Sequence, residues 1–133
     1  VYQVTLSLIL TDQIPSGKNS MGITQTGRHY AKPRFESWRS IAAYEILRQK
    51  MTWCSSLRKC LPLKTDVTVT ISYRELEPVP AKGVRDLPGM QDALWHLLTH
   101  TGLLANDGQI KGVLWQYPWR TDGPCIIMEL RNG

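Results

Sequence analysis

The chain opens on "VYQVTLSLIL", in which Val4, Leu6, Leu8 and Leu10 fall on one side. A period of two predicts a strand with one buried face. From Thr11 to Pro33 the sequence turns polar and glycine-rich with no sustained period, which reads as a long loop. Loops of that length in small domains usually carry function or stay disordered. "RFESWRSIAAYEILRQKM" follows, with Phe35, Trp38, Ile41, Ala42, Ile46 and Met51 near helical spacing and arginines and glutamates on the other face. "TWCSSLRKCLPLKT" breaks the pattern, and "DVTVTISYRE" restores alternation with Val67, Val69, Ile71 and Tyr73 on one face. "LEPVPAKGVRD" is a loop rich in proline and glycine. Pro88 suits the first turn of a second helix, where a missing amide costs nothing. Met90, Leu94, Leu97, Leu98 and Thr101 form the inner stripe of that helix, and Gly102 is its stop. "QIKGVLWQYPW" and "PCIIMEL" read as two more strands joined by the turn "RTDG". The order strand, helix, strand, helix, strand, strand predicts an α+β domain, with about four strands in a mixed sheet and two main helices against it.

Composition narrows this picture. A chain of 133 residues with 42% apolar positions has enough material for one core and too little for two ordinary domains, so residues 1–133 are expected to form a single domain. Sixteen Lys and Arg against eleven Asp and Glu leave a formal charge of +5, which favours polyanionic partners, nucleic acid first among them. Cys54, Cys60 and Cys125 are an odd count without a CxxC pair, indicating neither a disulfide framework nor a zinc ribbon. No apolar run approaches the roughly 18 residues that cross a bilayer, and the start at Val1 lacks signal-peptide order. The expectation is a cytoplasmic protein with no membrane partner.

Against the basic background, Asp86 and Asp107 bracket the second helix at a separation of 21 positions. Carboxylates converging from separate loops are what Mg²⁺ requires, since it prefers hard oxygen ligands and keeps waters and substrate phosphates as the rest of its shell. In a basic chain that chemistry points to phosphodiester cleavage. The plainer reading is that Asp86 caps the helix and that Asn106-Asp107-Gly108 is an ordinary turn. Asp92, His96 and His100 stand at steps of four on the helix, a line that suits a transition metal or simple solvation. "SGKNS" is not a phosphate loop, because Asp12 occupies the place of the earlier glycine of GxxxxGK[ST]. Lys18 reads instead as a phosphate contact from a loop, joined by Asn19, Arg28, Arg34, Lys82, Arg85 and Lys111 as candidate contacts to a nucleic-acid backbone. Singly, each is more often a solvated surface residue. Five tryptophans, Trp115 and Trp119 among them, can stack bases, but their spacing on strands favours packing.

The segments "RDLPG", "MQDALWHLLTHTG" and "LLANDGQI" together resemble the RusA family of Holliday-junction resolvases. That family's core reads Arg-Asp-x-Asp-Asn, then a helix with a lysine one turn in, then Gly-apolar-apolar-x-Asp-Asp-x-Gln. "PSGKNS" is similar to its first loop, and "GRHYAKPRFESWRSIAAYEIL" to its basic segment and following helix, so the likeness spans most of the chain. It implies a homodimer that binds four-way DNA junctions and nicks opposing strands with Mg²⁺, for which Mn²⁺ is a substitute. Asp86 matches the first motif acid and Asp107 the acid after the helix, with Asn106 in place of a neighbouring aspartate. Pro88 stands where the second motif acid belongs and Asp92 where the lysine belongs. Asp92 lies one turn beyond Pro88 on nearly the same face, a position from which its carboxylate can partly replace the missing one, and which suits simple solvation equally. The expected catalytic and metal-binding set is therefore Asp86, Asp92 and Asp107. The alternative expectation is a catalytically weakened junction-binding protein of the same fold, and a metal-binding or structural domain is the third.

Overall fold

The computed structural model describes residues 3–12, 14, 21–23, 29–31, 33–74, 87–116 and 123–132. The first alternating run folds as strand β1, Thr5–Leu10, burying Leu6, Leu8 and Leu10. Two three-residue strands follow inside the stretch read as a loop: β2, Met21–Ile23, pairs antiparallel with β3, His29–Ala31. Strands this short have no room for a hydrophobic period, which is why the sequence reads as loop there. Helix α1, Pro33–Met51, buries Trp38, Ala42 and Ile46. Ile41 and Met51, expected on its inner stripe, are instead 45% and 74% exposed. At 100° per residue the sheet accepts one narrow stripe of α1, and these two positions fall outside it.

A five-residue helix, α2, Ser55–Lys59, occupies the segment where the pattern breaks, and it buries no residue. Strand β4, Val67–Tyr73, carries the expected apolar face and also buries Ser72. Helix α3, Leu87–His100, presents Met90, Leu94, Leu97 and Leu98 to the core, and the expected stripe continues to buried Thr101. Strands β5, Ile110–Gln116, and β6, Ile126–Asn132, complete a four-stranded mixed sheet in the order β1-β6-β4-β5. The two last strands are thus not neighbours, contrary to the simple hairpin that their turn suggests. β4 lies between them, antiparallel to β6 and parallel to β5. The parallel pair needs a crossover, which α3 supplies.

The pairings define two ends of the sheet. At one end Tyr73 and Leu10 both face Ile126, and Ser72 faces Gln116; this is the carboxyl end of β4. At the other end Val67 faces Ile110 and Asn132. α1 runs antiparallel to β1, because Trp38 Nε1 donates to Asp12 O while Gln49, further along, bonds Ile9. α3 runs beside α1 in the same direction: Arg39 meets His96 near the middle of α3, and Lys50 Nζ donates to Thr101 O just past its end. Both helices therefore start at the carboxyl end of β4. Among the described residues no helix is long and apolar enough to cross a membrane.

Candidate functional site

Asp92 is the sixth of the 14 residues of α3 and is exposed, on the side away from the buried stripe. The helix ends at Gly102, whose φ of +78° is the left-handed conformation that glycine adopts without a Cβ penalty. Leu103 and Leu104 N–H both donate to Leu98 O, and Lys50 supplies a cation to the last carbonyls. The chain then reaches Asn106-Asp107-Gly108-Gln109, and each polar residue in this stretch has a distinct place. Asn106 Oδ1 accepts from Gly108 N–H at 2.7 Å, and Gln109 Oε1 accepts from Asn106 N–H at 2.8 Å, a reciprocal cap on the short 3₁₀ turn Asp107–Gln109. The buried Gln109 amide also donates to Leu63 O and Thr65 O, each at 2.8 Å, tying the turn to the segment that enters β4. Asp107 is left exposed on this clamp.

Asp107 and Asp92 are thereby kept apart. Asp107 sits at the amino end of β4 and β5, two residues before Gln109, whose side chain binds Leu63 and Thr65. Asp92 lies in the first half of α3, which starts at the carboxyl end. From Leu87 to His100, α3 alone rises about 20 Å over its 14 residues. Asp86 lies outside the described residues, and its nearest described neighbour in the chain is Leu87, at the end opposite Asp107. Among the described residues no group of three or more His, Cys, Asp or Glu side chains is placed to hold a metal ion. The described acids of a single chain therefore do not fit Mg²⁺, which needs several oxygens within about 2.1 Å of one point.

The histidine line is committed elsewhere. His96 and His100 stack with ring centroids 5.7 Å apart and planes 12° from parallel. His96 Nε2 lies 3.3 Å from an Arg39 guanidinium nitrogen, which donates, so the neutral ring carries its proton on Nδ1. Arg39 also bonds Glu36, one turn earlier on α1. Partial burial, then the Arg39 charge, then His100 hold the His96 pKa below its ordinary value. A nitrogen that accepts from arginine is not open to a metal, and the Asp92, His96, His100 line forms no ligand set here.

Of the candidate nucleic-acid contacts, Lys111 is exposed at the start of β5, at the same end as Asp107. Lys18, Asn19, Arg28, Lys82 and Arg85 lie outside the described residues, as does the side chain of Arg34 in the first turn of α1. Trp115 is half-buried and meets Tyr73 edge-on at 6.5 Å, while Trp119 lies outside the described residues. Two contributors are not evident from the sequence. Gln109 has the place of a motif's tail and is the buried tie that holds Asp107; a glutamine three residues after Asn106 is the available signal. Arg39 has a legible partner in Glu36, but its contact with His96 spans 57 positions and has no local sign. No protein-family model and no curated protein matches the chain.

Proposed function

We propose that this chain is a metal-dependent endodeoxyribonuclease that resolves four-way DNA junctions by paired nicks, working in the cytoplasm as a homodimer. The observation that supports the reading is the spacing from Arg85-Asp86 to Gln109 in the sequence around helix α3, with Asp107 exposed on a clamped turn. The formal charge of +5 and exposed Lys111 suit a DNA backbone. Mg²⁺, or Mn²⁺ in its place, supplies charge stabilisation and an activated water in such reactions. The resemblance offers Asp86, Asp92 and Asp107 for it, of which Asp92 and Asp107 stand apart in the fold. Lys18, Asn19, Arg28, Arg34, Lys82, Arg85 and Lys111 are assigned to the phosphates, and Lys18 or Lys82 supplies the cation that the motif has lost at position 92.

The second reading, a junction-binding protein with weakened catalysis, is favoured by Pro88 and Asp92 at two motif positions. A labelled four-way junction incubated with the protein, with and without Mg²⁺, separates the two. Symmetric nicks that appear only with metal support the nuclease. Salt-sensitive binding without nicks in Mg²⁺ or Mn²⁺ supports the binding protein, and no preference for the junction over linear duplex rejects both.

A further inference from the structure

The formal charge of +5 is not spread over the chain. Residues 46–65 hold Arg48, Lys50, Arg58, Lys59 and Lys64 and no Asp or Glu, so the remaining eleven cations balance all eleven acids. Two of the five are engaged: Lys50 Nζ donates to Thr101 O, and the Arg48 guanidinium stands 5.8 Å from the centre of the Tyr44 ring. Arg58, Lys59 and Lys64 are exposed, and among the described residues no carboxylate pairs with any of them, Asp66 included. Cations gathered without acids repel one another until a polyanion neutralises them.

Their placement is set by the core. Trp53, Leu57 and Leu61 pack against it, which leaves Arg58 and Lys59 of α2 on the solvent side. Cys60 N–H donates to Leu57 O and Leu61 N–H to Arg58 O, so α2 closes onto the segment that follows it. Lys64 lies on the stretch tied to the Asp107 turn: Leu63 N–H donates to Leu103 O, Ala105 N–H donates to Leu63 O, and the Gln109 amide holds the carbonyls on both sides of Lys64. α2 buries no residue, so what it offers is its surface.

From this we infer that α2 and the segment through Thr65 form a nucleic-acid surface at the Asp107 end of the sheet, on which Arg58, Lys59 and Lys64 contact the phosphates of a duplex arm. The inference deepens the nuclease reading and rests on it for the chemistry of the partner. A phosphodiester backbone is bound by Lys and Arg together with small hydroxyls, and Ser55, Ser56 and Thr65 are exposed among these cations. Docking to a peptide or a bilayer needs an apolar anchor, and no large apolar side chain is exposed between residues 52 and 65.

Fluorescence anisotropy with a labelled four-way junction in a metal-free buffer, at a series of salt concentrations, tests this. In the Arg58→Gln, Lys59→Gln, Lys64→Gln protein the slope of log affinity against log salt should be shallower by about 2.7, so that the wild-type advantage shrinks about 40-fold from 50 to 200 mM. Lys64→Gln alone should change the slope by about 0.9, and a urea midpoint equal to that of wild type shows that each variant is folded. Lys59→Arg, Lys64→Arg keeps the charge and should keep the slope. Arg131→Gln removes a cation already paired with Glu129 and should leave the slope unchanged. Junction binding by wild type with the same slope in the triple variant overturns the surface and leaves the nuclease reading in place. Poly-glutamate bound as tightly as DNA, and lost in the same variant, puts an acidic protein in the place of nucleic acid and overturns the inference as well. Absence of junction binding by wild type at low salt rejects the nuclease reading and this surface with it.

Discussion

Asp92 is the residue on which the departure from the motif turns, and its exposure on α3 allows a sharp test. Asp92→Asn keeps the shape and removes the charge. If Asp92 stands in for the acid displaced by Pro88, cleavage falls about 100-fold or more and more Mg²⁺ is needed. Unchanged rates make it a solvated acid. His96 gives a pH signature. Its pKa is lowered in the fold, so between the folded value and the unfolded value near 6.5 the unfolded chain binds more protons, and stability rises with pH. The contribution is complete above about 6.5 and is lost as pH falls through the folded value. Denaturant midpoints should therefore decline on acidification, with a shallower decline in His96→Gln; identical slopes in the two proteins would remove His96 as a cause. Gln109→Leu leaves the Thr65 carbonyl and the Asn106 amide without their Gln109 partner, while Leu63 O keeps its bond from Ala105 N–H, and should cost about 2–3 kcal/mol by urea unfolding.

Among the elements, α3 is the most legible, because its stripe of long aliphatic residues, its early proline and its terminal glycine all state the same boundaries. Gly102→Val tests the last of these. A β-branched residue at φ +78° is strained, and its Cβ would meet Lys50 Nζ at 3.4 Å, so a loss of about 1–2 kcal/mol is expected in thermal or chemical unfolding. β1 and β4 are legible for a similar reason, since apolar residues at every second position share a face only in an extended strand. α2 and the β2–β3 hairpin are not, because elements of five and three residues are held by their surroundings rather than by a periodic face. The exposed run Ile41, Tyr44, Leu47 and Met51 shows the limit of periodicity on α1: spacing identifies apolar stripes, and only packing selects the one that faces the sheet.

On the scale of the whole molecule, six cations are assigned to phosphates, Lys18, Arg28, Arg34, Lys82, Arg85 and Lys111. Six such contacts predict a loss of junction affinity of about 1,000-fold between 50 and 200 mM salt. A flat salt response would remove the nucleic-acid reading. Sequence alone is sufficient for the α+β class, the strands β1 and β4 and the stripe of α3, because each is written in local spacing and side-chain chemistry. Tertiary structure decided the rest. It placed β4 between β5 and β6, parallel to the one and antiparallel to the other, with α3 as the crossover, an arrangement of distant segments that no local turn signal encodes. It turned Gln109 into a buried tie, and it placed Asp107 and the start of α3 at opposite ends of the sheet. Motif spacing counts residues along the chain, whereas a helix converts 14 of them into about 20 Å of separation.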